Sequence, residues 1–176
     1  MKSVLAIDPG PKKSAFVWWD GSAILAHSIV ANEQFEMATD NPVESRDVIL
    51  VIEQIKSYGM KVSDSVFDTV FWSGRFAQYW DDVYGDFYRL PRMEVKMHLC
   101  HDSRAKDSNI RQALIDRFEP DLLPKQRPKG ILQGISADEW AALAVAVTWY
   151  DQNIGQLCPR CESKECICDA RPDDCL

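Results

Sequence analysis

Residues 47–55, Asp-Val-Ile-Leu-Val-Ile-Glu-Gln-Ile, form a nearly unbroken run of β-branched and aliphatic side chains. A strand with one wet face alternates apolar and polar residues, so a run without alternation marks a strand covered on both faces. Such a strand needs a sheet with helices packed on it, and the rest of the chain supplies them. Residues 2–8 read as a second buried strand that closes on Asp8, and Pro9-Gly10-Pro11 cannot continue its ladder. Residues 14–20 and 23–30 read as two more strands joined at Asp20-Gly21, a strong hairpin signal.

Further along, a short helix is expected over 33–39 and a longer one over 62–80, where Val62, Val66, Val70 and Phe71 recur at helical spacing. A short strand over 87–90 follows. A helix over 104–118 carries Ile110, Ala113, Leu114 and Phe118 on one stripe. Residues 119–134, with three Pro and two Gly, read as a loop, and 136–151 as a final helix that is apolar on nearly every side. The order is β-β-β-α-β-α-β-α-α. Three antiparallel strands followed by α/β crossovers describe an α/β domain with a mixed five-stranded sheet flanked by helices.

At 176 residues, with 46% hydrophobic and 10% aromatic side chains, the chain can fill one real core and has room for a small appendage. The longest strongly apolar stretch, 140–150, is too short to span a bilayer, and the apolar run after Lys2 is too short for a secretory signal. The expectation is a soluble cytoplasmic protein with reduced cysteines and no membrane partner. The formal charge of −7 weighs against non-specific nucleic-acid binding, but the charge is unevenly spread. Residues 89–129 hold ten Lys/Arg against six Asp/Glu, whereas 151–176 hold three against six. A local basic face can still hold phosphates.

The chemistry rests on three acids. Asp8 closes the first strand and Glu53 stands near the end of the long buried one. If those strands are parallel neighbours, both carboxylates emerge at the same sheet edge, where ligand sites of such sheets lie. Either acid alone could merely end its strand. Asp138 stands in the first turn of the last helix, where the dipole favours a negative charge. Ser136 and Glu139 read as its capping box, with Ser136 as N-cap and Glu139 as the reciprocal partner. Asp138 could be dipole decoration only, yet it and Glu139 are the only charges between Ser136 and Tyr150, and an acid at the mouth of so apolar a helix needs a partner. Three convergent carboxylates with no Lys or Arg neighbour in sequence suit hard divalent cations, and two Mg²⁺ (or Mn²⁺) ions about 4 Å apart support phosphodiester hydrolysis.

The segments Val4-Leu5-Ala6-Ile7-Asp8-Pro9-Gly10, Val51-Ile52-Glu53-Gln54 and Ala137-Asp138 with Ala142-Leu143-Ala144-Val145-Ala146 resemble the acidic motifs of RuvC-type Holliday junction resolvases. Lys96-Met97-His98-Leu99-Cys100 and the stretch 104–114 resemble the central part of small bacteriophage members of that group. The resemblance covers residues 2–151. It implies a ribonuclease-H-like fold, Asp8, Glu53 and Asp138 as catalytic metal ligands, and a homodimer acting on four-way or otherwise branched DNA. It also implies a host-cytoplasm setting if the gene is phage-borne. One departure stands out: Ala141 occupies the position one turn after Asp138 where bacterial RuvC enzymes commonly carry another acid.

Arg104, Lys106 and Arg111 cluster at a helix start, whose N–H groups also favour phosphate. Lys106 corresponds, by the resemblance, to a basic residue that contacts the scissile region; a solvated helix face is the plainer reading. Tyr58, in Ser57-Tyr58-Gly59-Met60, could stack on bases at a junction or be a bare turn residue. The division expected is a nuclease domain over 1–153 and a Cys-rich tail over 154–176. Cys158, Cys161, Cys166 and Cys168 suit a tetrahedral Zn²⁺ site, although only four residues separate the two pairs. The other reading is an acidic tail with free thiols. Competing functions are a ribonuclease H on RNA–DNA hybrids, a non-catalytic nucleic-acid-binding protein, and an actin-like phosphotransferase domain, which the chain length disfavours.

Overall fold

The computed structural model describes residues 2–35, 48–57, 59, 61–123, 126 and 128–154. Five strands form one sheet: β1 (Ser3–Asp8), β2 (Lys13–Trp19), β3 (Ile24–Ala31), β4 (Val48–Gln54) and β5 (Phe87–Pro91), in spatial order β3-β2-β1-β4-β5. The first three are antiparallel neighbours, and β1, β4 and β5 run parallel. Four helices complete the described fold: α1 (Asp64–Val83), α2 (Arg92–Cys100), α3 (Asp107–Phe118) and α4 (Glu139–Asn153). The expected mixed α/β sheet is present.

Two local expectations need correction, and a third falls only partly within the described residues. The expected helix over 104–118 starts only at Asp107, and residues 92–100 form a separate helix that the sequence reading did not assign. Within the expected 33–39 helix, Asn32–Gln34 is a single 3-10 turn, and residues beyond 35 lie outside the described ones. The last helix begins at Glu139 with Asp138 as N-cap, so Ser136 does not cap it. Glu139 does reach back as expected, accepting from the Ser136 backbone N–H at 2.8 Å. The Ser136 hydroxyl, however, donates to the same carboxylate oxygen at 2.9 Å instead of accepting from the helix.

The two faces of the sheet carry separate cores. Val4, Ala6, Ala15, Val17, Trp19 and Val51 face α4, which is buried from Ala142 to Val147 on every side. Its three alanines in that stretch let helix and sheet approach closely, and each buried Leu or Val there contributes about 1.5–3 kcal/mol. Leu5, Ile7, Phe16, Trp18, Leu50 and Ile52 face the other way, against Phe35 and the Phe76 and Trp80 of α1. Helices α2, α3 and α4 are tied together by Asp151, which accepts from His98 Nε2 at 2.7 Å and from both Arg117 terminal nitrogens. The loop after α3 is ordered by one carboxylate: Glu119 accepts from the backbone N–H groups of Lys129, Gly130 and Leu132 at 3.0–3.1 Å.

The β2–β3 turn is fixed by Asp20 Oδ1, which accepts from the Ser22 and Ala23 N–H groups at 2.7 Å each. Gly21 there has φ 98°, and a Cβ on it would meet the Tyr150 ring at 2.2–2.6 Å, so both backbone and space require glycine.

Candidate active site

Because β1 and β4 are parallel with Ile7 opposite Ile52, the next residues, Asp8 and Glu53, stand side by side at the carboxyl edge. Alternation sends both toward the α4 face, since Asp8 follows Val4 and Ala6, and Glu53 follows Val51. Asp138 reaches the same place from the N-terminus of α4. A pocket of about 110 Å³ is lined by these three acids with Arg92, Asp107, Val95, Ile110, Ala137, Trp140, Ala141 and Ala144. That is room for several waters or a hydrated ion. Ala137 holds φ 42°, a left-handed conformation that costs an alanine of order 1 kcal/mol and turns the chain so that Asp138 enters the pocket.

The electrostatics are those of a crowded acidic cluster. Burial, then the charge of Glu53 and that of Asp138, push the Asp8 carboxyl from the usual 3.8 up to about 8, against the opposing pull of Arg92. Asp8 and Glu53 also lie close enough to share a hydrogen bond. Glu53 is only 6% exposed. Arg92, the first residue of α2 and the one after β5 ends, directs Nη1 to both Glu53 oxygens at 2.8 and 3.0 Å, and Nη2 to Asp107. No Lys or Arg neighbours the acids in sequence, but the fold brings one to them: Arg92, at the start of α2 and 39 residues beyond Glu53. As they stand, no three His, Cys, Asp or Glu side chains among the described residues are grouped closely enough to grip a metal. The chemistry of the donor set nevertheless fits a hard divalent cation. It is all carboxylate oxygen, and its mutual repulsion raises Asp8.

No protein-family model matches the chain, and no curated protein matches it in sequence. Solved structures do match in shape. The Thermus thermophilus RuvC structure superposes with a TM-score of 0.58 at 16% identity, covering 85% of this chain and 95% of that one. The fold is RuvC-like. A second match, T. thermophilus RuvC in complex with Holliday junction substrate, has a TM-score of 0.59 at 14% identity and covers 84% of this chain and 92% of that one.

On this RuvC-like sheet the three candidate acids converge on one pocket. The basic candidates surround it less tightly. Arg104 and Lys106 are exposed on the approach to α3, directly before Asp107 at the pocket. Arg111 lays its guanidinium 4.9 Å from the centroid of the Trp140 ring, itself a pocket wall. Ala141 lines the pocket and offers no side-chain oxygen to it. Glu139 does not line it. One of its oxygens takes the Ser136 bonds, while the other accepts from His27 Nδ1 at 2.8 Å. Tyr58, Cys158, Cys161, Cys166 and Cys168 lie outside the described residues. Arg92 and Asp107 are the site residues the sequence reading missed. The signal for Arg92 was its place just past a parallel strand, the same edge that carries Asp8 and Glu53.

Proposed function

We propose that this chain is a Mg²⁺-dependent endodeoxyribonuclease that resolves Holliday junctions or other branched DNA. The observation that carries the reading is the meeting of Asp8, Glu53 and Asp138 in one pocket at the carboxyl edge of a RuvC-like sheet. Asp8, Glu53 and Asp138 would hold Mg²⁺ or Mn²⁺, two ions in the full site, and Ala141 would contribute no oxygen to the second. Such ions, when bound, activate a water for attack on the phosphodiester and stabilise the leaving oxygen. The chain's own groups supply the rest. Asp8 must give up its proton to become a ligand, and the walls Val95, Ile110 and Trp140 limit bulk water around the acids. Arg104, Lys106 and Arg111 engage backbone phosphates outside the pocket, which positions DNA without reading its sequence. Tyr58 is assigned to stacking at the branch.

A four-way junction has two-fold symmetry, which a homodimer matches. The outer face of α1 supports that assembly: Phe67, Val70 and Phe71 are each more than half exposed. The tail, residues 154–176, would form a separate zinc-binding appendage to a nuclease domain over 1–153.

The test is incubation of purified protein with Mg²⁺ and labelled four-way, flap, duplex and RNA–DNA hybrid substrates. Cleavage of branched DNA is expected, and Asp8→Asn, Glu53→Gln and Asp138→Asn should each abolish it while junction binding persists. Preferential cutting of the hybrid would make the chain a ribonuclease H. Normal turnover in any of the three variants would remove that acid from the site.

A further inference from the structure

Arg92 is the one pocket residue whose present contacts conflict with the proposed chemistry. A single terminal nitrogen spans both oxygens of Glu53, at 2.8 and 3.0 Å, so neither is left free to ligate without disturbing the pair. The second terminal nitrogen is bonded to Asp107, whose side chain is 80% exposed, against 8% for Glu53. The guanidinium thus bridges a deep acid and a shallow one across the same pocket. A cation is needed there because three acids are crowded together, and in this arrangement Arg92 is that cation.

Resting on the metal-dependent reading above, we propose that Arg92 is a displaceable internal counter-cation, which occupies Glu53 in the metal-free protein and is released when a divalent ion takes that carboxylate. Asp107 is the arm that keeps the guanidinium at the pocket mouth after release. Metal affinity is then set by a competition: the ion gains Glu53 only by breaking a charge-assisted pair in a poorly hydrated site. Arg92 offsets part of the pocket's negative charge in the metal-free state and the ion would do so in the loaded one, which helps an acidic cluster persist in a folded chain without metal. The competition also separates Arg92 from a purely structural ion pair. Loss of a structural pair would weaken every function of the site together, whereas loss of a competitor strengthens one of them.

The experiment is calorimetric titration of the full-length protein with Mn²⁺, without DNA, for the wild type, Arg92→Gln, Arg92→Lys and Glu53→Gln. Arg92→Gln should bind Mn²⁺ about tenfold more tightly or better, because a charged pair no longer has to be broken. Its metal-free melting temperature should fall and its Mn²⁺-induced rise should exceed that of the wild type. Arg92→Lys, which keeps a charge but cannot bridge Glu53 and Asp107 through two separate nitrogens, should tighten binding by a smaller factor and keeps the test open if the Gln variant folds poorly. Unchanged or weaker Mn²⁺ binding in both Arg92 variants, with normal binding by the wild type and loss in Glu53→Gln, would overturn the role of Arg92 and leave the metal site standing. No Mn²⁺ binding by the wild type, or full binding by Glu53→Gln, would overturn the metal-dependent reading and this inference with it.

Discussion

The acidity of Asp8 gives a sharp test of the site, and pH is the perturbation. Burial and the neighbouring charges of Glu53 and Asp138 hold its carboxyl at about 8 where 3.8 is usual. At pH 8 about half of the metal-free chains carry an ionised Asp8, and at pH 6 only about one in a hundred. A divalent ion binds the ionised form, so binding must weaken as pH falls. The expected loss between pH 8 and pH 6 is about 50-fold in Kd, close to 2 kcal/mol, with roughly one proton released per chain at pH 6 and about half a proton at pH 8 as metal enters. The same shift makes the opposite contribution to the metal-free fold. Folded Asp8 keeps a proton that the unfolded chain has lost, so its contribution to stability falls as pH rises from about 4 to about 8. The assay is Mn²⁺ titration by calorimetry at pH 6, 7 and 8, in pairs of buffers with different ionisation enthalpies to count protons. Asp8→Asn should bind weakly and lose the pH dependence. A wild-type Kd that is flat across this range, or metal uptake without proton release, would refute the reasoning.

Three more outcomes are expected. Glu139→Ala should cost about 2–3 kcal/mol by urea denaturation, more than a lost cap, since it strands the Ser136 N–H, the Ser136 hydroxyl and His27 Nδ1 in a half-buried place; a cost below about 1 kcal/mol would show the triple contact is worth no more than a cap. Phe71→Asp should convert a dimer to a monomer in sedimentation equilibrium while leaving secondary structure intact; an unchanged oligomeric state would move the interface off α1. The tail should bring about one zinc per chain in elemental analysis of protein purified under reducing conditions, from a Cys₄ site, and zinc-free protein would leave 154–176 without its metal.

The parts of this fold that sequence discloses are those set by local pattern. The β4 run had to be a strand covered on both faces, and once β1 lay beside it in parallel, Asp8 and Glu53 had to share an edge. The apolar length of α4 required burial and so placed Asp138 at the open mouth of a buried helix. What escaped was either weakly patterned or non-local. Helix α2 mixes Arg, Glu, Lys and His with only Val95 buried, so its periodicity is faint. The Arg92–Glu53 pair depends on how β5 registers against β4, with Glu53 opposite Leu90 and Gln54 opposite Pro91, and no short window contains both partners. Ser136 looked like a cap because its spacing from Glu139 is right. The left-handed Ala137 reorients the chain between them, and backbone dihedrals of that kind leave no trace in an alanine.

The separation of the two cores by the sheet has a consequence for how such a chain can change. Among the described residues, odd-numbered residues of β1 and even-numbered residues of β4 pack with Phe16, Trp18, Phe35 and α1, whereas the acids are on the opposite side of the sheet. The sheet acts as a partition between two sets of selective pressures. Substitutions on the outward face of α1 can change that surface without moving a carboxylate. Substitutions around α4 can alter the chemistry while the outward surface of α1 is preserved. A chain built on this plan can therefore vary its outward α1 surface and its acidic pocket as independent traits.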